Sequence, residues 1–125
     1  MELFNMMPHA CHVHTATGAV TLESRGEVRL KSMPQLVVGD LRGMPLVPPQ
    51  AFVGVDESSK GYALFEQVAA RGDAVGIIVS AVMAEWLLKH DPRPYHLYAP
   101  ATGPAHAVRD DKGQIKGCRA LEVYR

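Results

Sequence analysis

Asp73-Ala74-Val75-Gly76-Ile77-Ile78-Val79-Ser80-Ala81-Val82-Met83-Ala84-Glu85-Trp86-Leu87-Leu88-Lys89-His90 is the stretch whose reading decides the fold. Val75, Ile78, Val79, Val82, Met83, Trp86 and Leu87 recur at the three- and four-residue intervals of one helical face. That spacing predicts a helix over 73–90, capped by Asp73 and ending near His90, before Pro92 and Pro94. A rival reading makes Gly76-Ile77-Ile78-Val79 a buried strand and starts a helix at Ser80, and the β-branched residues favour it. The unbroken apolar pattern favours the single helix. Ile77, Ala81, Ala84 and Leu88 form a second apolar stripe, so the helix needs cover on two sides. The domain's own sheet supplies one cover. The other is the preceding helix or a second subunit, so a homo-oligomer through the 74–90 helix is expected.

Upstream of this stretch, Ser58 or Ser59 caps a first helix over 58–71, with Gly72 as its stop. Residues 1–56 read as strands. Ala19–Glu23 and Glu27–Lys31 alternate apolar with polar, and a three-residue loop, Ser24-Arg25-Gly26, puts their apolar residues on one face. Leu36-Val37-Val38 reads as a short strand and Ala51–Val55 as another. Between them Gly39, Gly43, Pro45, Pro48 and Pro49 mark 39–50 as loop. Downstream, Tyr95–Ala99 is a strand. Asp110-Asp111-Lys112-Gly113 has the residues of a type I turn and predicts a hairpin pairing Val108 with Ile115, His106 with Gly117 and Ala105 with Cys118. The expected fold is therefore one α+β domain over 1–125. Its sheet is antiparallel or mixed, with two helices, about 58–71 and 73–90, packed on one face.

Composition bounds the function. The chain of 125 residues carries 13 basic and 13 acidic side chains, giving a formal net charge of zero, and the charges are scattered. Nucleic-acid binding leaves a basic stripe, and none is visible. No apolar run approaches membrane-spanning length, and the first ten residues lack the pattern of a signal peptide. Cys11 and Cys118 read as reduced thiols of a cytoplasmic protein. Arg71-Gly72-Asp73 reads as the turn between the helices, and Ala101-Thr102-Gly103-Pro104 lacks the helix that a phosphate loop needs.

Two groups of residues carry chemistry. His9, Cys11, His12 and His14 place four metal-capable side chains near the N-terminus. Strand parity divides them: His12 and His14 share one face, and His9 and Cys11 take the other. The metal reading narrows to His12 and His14 binding zinc or another transition metal, with a further ligand from His96, His106, Asp40 or Cys118. At the other end, the predicted hairpin puts His106 and Arg119 on the face of Val108, Ile115, Leu121 and Val123. A charged group on a core face needs a partner, so His106 and Arg119, with Tyr98 as a wall, are expected to form a pocket for an anionic ligand. No nucleophile, base and orienting group converge in sequence. The leading expectation is a small non-catalytic homo-oligomeric domain that binds a small ligand or a protein partner. The alternatives are a metal-dependent protein centred on His12 and His14 and an enzyme acting on an anion at His106 and Arg119.

Overall fold

The structure, a computed structural model, describes residues 1–125. Its centre is a mixed four-stranded sheet of β1 (Glu2–Asn5), β8 (Val75–Ile78), β9 (His96–Pro100) and β12 (Leu121–Val123), in that spatial order. β1, β8 and β9 run parallel, and β12 closes the edge antiparallel to β9. Helix α1 (Tyr62–Ala69) precedes β8, and α2 (Ala81–His90) is the crossover between β8 and β9. A second sheet has the order β10 (Ala107–Arg109), β11 (Ile115–Cys118), β2 (Cys11–Thr15) and β3 (Gly18–Leu22). Two further pairs complete the fold: β4 (Leu30–Ser32) with β7 (Phe52–Val55), and β5 (Gly39–Leu41) with β6 (Met44–Leu46). The α+β class holds, with both helices on one face of the central sheet.

The deciding stretch takes the rival form. Residues 75–78 are the interior strand β8, and the helix begins after Ser80, whose hydroxyl accepts a hydrogen bond from the Met83 N–H at 3.3 Å. The single helix over 73–90 is overturned, and with it the two-sided helix on which the 74–90 oligomer interface rested. A parallel strand covered on both faces is apolar at every position, so a helical period can be read through it. Val75 and Ile77 join Phe4, Tyr95 and Leu97 in the cluster under the helices, against Phe65, Val68, Met83, Ala84 and Leu87. Ile78 points the other way, into a smaller cluster with Met7 and Cys11. Of the second apolar stripe only Ile77 on the strand and Ala84 on the helix are buried, while Ala81 and Leu88 are exposed, as is Val82 of the first stripe.

Other local expectations are corrected by tertiary pairing. The hairpin across Ser24-Arg25-Gly26 does not form: β3 pairs with β2, and Leu30–Ser32 pairs with β7. Gly26 does take a left-handed φ of 106°, but its role is close approach, since a Cβ on the facing Gly61 would stand 2.3 Å from the Gly26 carbonyl oxygen. That contact also sets the start of α1, whose N-cap is Gly61 rather than Ser58 or Ser59. The Gly61 N–H donates to the Glu27 carbonyl at 2.8 Å. Leu36–Val38 forms no strand. The segment read as loop holds the β5–β6 hairpin, turned by Arg42 and Gly43, both at positive φ as a type I′ turn requires. The turn at Asp110–Gly113 is present, closed by Gly113 N–H to the Asp110 carbonyl. The strands beyond it pair two positions from the predicted register, Val108 with Gly117 and Ala107 with Cys118: the turn closes one residue later, setting Arg109 opposite Ile115, and a bulge beside Arg109 takes up another.

The far end of the central sheet is clamped by charge. Asp91 accepts from Arg93 Nε at 2.9 Å, Arg93 Nη2 at 2.8 Å and the Tyr95 hydroxyl at 2.9 Å, and Arg93 continues to Glu66 of α1 at 2.9 Å. Burial by itself would raise the Asp91 pKa, but the hydrogen bonds from Arg93 and Tyr95 outweigh it and hold the carboxyl below its ordinary value. This clamp ties the turn after α2 to α1 and leaves the opposite end, where the parallel strands finish, free to form a site.

The two readings of 73–90 differ in what they bury. Ile77→Ala is expected to cost about 3 kcal/mol and Val82→Ala under about 0.5 kcal/mol in urea unfolding. Comparable losses at both positions would return the stretch to a single helix.

Candidate cleft between the two sheets

Ligands of open sheets with parallel strands gather beyond the carboxyl ends of those strands. Here β1, β8 and β9 end at Asn5, Ile78 and Pro100. The residues that follow, Met7, Ser80, Ala81 and Thr102, form one side of a cleft of about 580 Å³. The second sheet forms the other side through His9 to His12 and Ile115 to Cys118. A smaller recess of about 270 Å³ adjoins it across Met7 and Ser80.

The cleft stays open because the chain turns sharply after β1, and Asn5 holds that turn. Its side chain is 2% exposed. Nδ2 donates to the carbonyls of His9 (3.0 Å) and Leu22 (2.9 Å), and Oδ1 accepts from the Met7 N–H (3.0 Å). The Ser24 hydroxyl donates to the Met7 carbonyl, and the Arg25 N–H to the Asn5 carbonyl. One buried amide therefore fixes β1, the 6–10 turn and the end of β3 together. Nothing in the order of residues marks Asn5, because its partners are backbone groups from distant segments.

The walls are mainly apolar: Met7, Ala81, Pro100 and Ile115. No carboxylate lines the cleft, and Lys116 is its permanent cation. The amino end of α2, at Ser80 and Ala81, opens on it, where the helix dipole favours negative charge. The floor holds both cysteines. Cys11 is 4% exposed and Cys118 2%, and both are free thiols. They lie on neighbouring strands, where Cys118 pairs with Val13 in the parallel β11–β2 register. Cys118 Sγ lies 3.8 Å from the His12 carbonyl oxygen. Gly117 permits this approach, since a Cβ there would stand 2.9 Å from the same carbonyl oxygen and 2.9 Å from His14 Nε2. Burial, and then the Cys118 side chain beside it, push the Cys11 thiol up to about 11.

The residues singled out from sequence fall as follows. His12 and His14 share a strand face, as parity requires. The His12 side chain is exposed, with Nδ1 3.0 Å from Thr21 Oγ1, and the half-buried His14 ring lies against Gly117. No group of three or more His, Cys, Asp or Glu side chains converges to hold a metal ion. His96 is in the central sheet, Asp40 on the β5–β6 hairpin, and His106 is exposed. His106 and Arg119 are joined by backbone, the Arg119 N–H donating to the His106 carbonyl at 2.7 Å, and both side chains are exposed. The shared core face that was to bury them does not exist. Ile115 is 47% exposed and Val123 73%, because β11 and β12 belong to different sheets. Tyr98 packs instead beside Ile78 and Cys11. The pairing that sequence did not anticipate is Cys11 with Cys118. His12 does line the cleft through its position on β2, as does His9 before it.

No protein-family model, no curated protein and no solved structure matches the chain. No helix is long and apolar enough to cross a membrane.

Thiol reactivity follows from the Cys11 environment. Alkylation of Cys11 by iodoacetamide, followed by mass spectrometry of its peptide, is expected to rise about tenfold per pH unit from pH 7 toward 11. In urea the same thiol should level off near its unperturbed value, about 8.5. Identical profiles for folded and unfolded protein would contradict a raised pKa.

Proposed function

We propose that this protein is a small ligand-binding domain whose site is the cleft between the two sheets. The observation that carries the reading is the cleft's position at the carboxyl ends of β1, β8 and β9, with the second sheet as its far wall. Its volume of about 580 Å³ lies in the range of small-molecule sites. Its lining favours an apolar molecule with one anionic group: the walls are apolar, Lys116 and the amino end of α2 are positive, and no carboxylate opposes them. No nucleophile in the cleft has a base positioned beside it, so the reading is one of binding rather than catalysis.

4-Phenylbutyrate, an apolar body with one carboxylate, is a suitable probe. In a ¹⁵N–¹H titration the shifted amides are expected to be those of Met7 to His12, Ser80, Ala81 and Ile115 to Cys118. Lys116→Glu should weaken binding several-fold. Shifts scattered elsewhere, or equal affinity in Lys116→Glu, would count against the cleft.

A second reading, self-association, is favoured by the β5–β6 hairpin and its flanks. Leu36, Val37, Val38, Leu41, Met44 and Val47 are all exposed, and β5 and β6 pair only with each other. Contiguous apolar surface of this kind is typical of interfaces and of unprotected strand edges. The interface proposed here is this hairpin, in place of 74–90. Light scattering should report a dimer or larger species for the native chain and a monomer for the double variant Val37→Lys, Leu41→Lys. A native monomer would sink the reading.

A further inference from the structure

The cleft floor brings together soft donors that lie far apart in sequence, and the geometry points to a cuprous-ion site formed by Cys11 and Cys118, with the Met7 thioether as its third sulfur. Three placements carry this. The two thiols come from adjacent parallel strands and face the same cavity, and Met7 packs against Cys11 from the end of β1. Each sulfur-bearing residue is nearly closed to solvent, at 5% exposure or less, yet all three line the cleft through which an ion would arrive. The surroundings are cationic or neutral: Lys116 from β11, His9 and His12 from β2 and the turn before it, and no acidic residue in the first turn of α2.

The donor set selects the metal. Thiolate and thioether sulfur favour cuprous copper, which accepts two or three ligands. Structural zinc takes four ligands, and no third His, Cys, Asp or Glu joins the two thiols. Binding breaks two S–H bonds and forms two Cu–thiolate bonds, with a third, dative Cu–S bond from the neutral Met7 thioether. The two protons leave to solvent, and no atom changes oxidation state. The resulting centre carries one negative charge, which Lys116 and the amino end of α2 offset. This inference does not rest on the small-molecule reading, since the sulfurs form the floor and the carboxylate would sit at Lys116 near the mouth.

The test uses untagged, fully reduced, chelator-treated protein under anaerobic conditions, with cuprous copper offered as its bathocuproine disulfonate complex. The chain is expected to withdraw one cuprous ion, and X-ray absorption should show a first shell of sulfur alone. Loss of a supporting group around a metal typically costs about 10–100-fold in affinity, so Cys11→Ser and Cys118→Ser should each cost at least the upper end of that range. Met7→Leu, which conserves volume, should weaken binding about tenfold. Should the serine variants fail to fold, the wild-type absorption spectrum and Met7→Leu still decide the matter. Failure to compete with the chelator, a nitrogen- or oxygen-dominated shell, undiminished uptake by a folded single-serine variant, or a Cys11–Cys118 disulfide as the sole product would each overturn it. Loss of copper binding with the phenylbutyrate titration intact would remove this inference and leave the binding cleft standing.

Discussion

The buried Asn5 amide is the constraint around which the two sheets are arranged. A side-chain amide in an apolar interior is costly unless its donors and acceptor are matched. Here the matching groups are main-chain atoms of Met7, His9 and Leu22. Satisfying them requires the chain to fold back after β1 and lay β2 and β3 over the face of the central sheet that carries Ile78 and Tyr98. The second sheet therefore sits where it does because one polar side chain must be satisfied, as well as because Met7, Cys11 and Leu22 need apolar cover. The cleft is the gap left when that sheet is held across the carboxyl ends of parallel strands.

The same placement determines the chemistry of the floor. Residues 11 and 118 meet only because β11 pairs parallel to β2, a pairing that joins the two ends of the chain. Once there, both thiols are removed from water, and burial together with the adjacent Cys118 side chain raises the Cys11 pKa. Lys116 and the amino end of α2 supply the only strong positive field at the mouth. The proposed anion site at the rim and the proposed soft-metal site at the floor thus draw on separate layers of one cavity. The ion-paired cluster of Asp91, Arg93 and Glu66 lies at the opposite end of the sheet and serves to fix the helices.

Much of the fold was legible wherever a signal was local. A helix does precede Gly72, although α1 closes at Ala69 and Gly72, at a left-handed φ of 64°, opens the short 3-10 turn beyond it; Phe52–Val55 and His96–Pro100 are strands, and Asp110–Gly113 is a turn. Errors arose where two structures share one pattern. Val75–Val79 satisfies both a helical face and a doubly covered strand, and only the presence of β1 and β9 on either side separates them. The amphipathic runs at 19–23 and 27–31 look like hairpin partners because they are neighbours, yet each pairs with a more distant strand. For the candidate site, Cys11 and the adjacent histidines stood out as chemically capable and Ser80 was marked only as the helix start of the rival reading, whereas Asn5 and Lys116 carried no mark of their own.

By itself, then, the sequence determined the α+β class, the two helical segments on one face, the formal net charge of zero, and the parity that separates Cys11 from His12 and His14. These follow from short-range physics: propensity, alternation and turn chemistry act within a few residues. Tertiary structure alone decided that 75–78 is a central strand, that His106 and Arg119 face solvent, and that Cys11 meets Cys118 beside Met7. Those outcomes depend on which strands pair across the chain, and pairing is set by the burial and hydrogen-bond satisfaction of the whole molecule, to which no single segment holds the key.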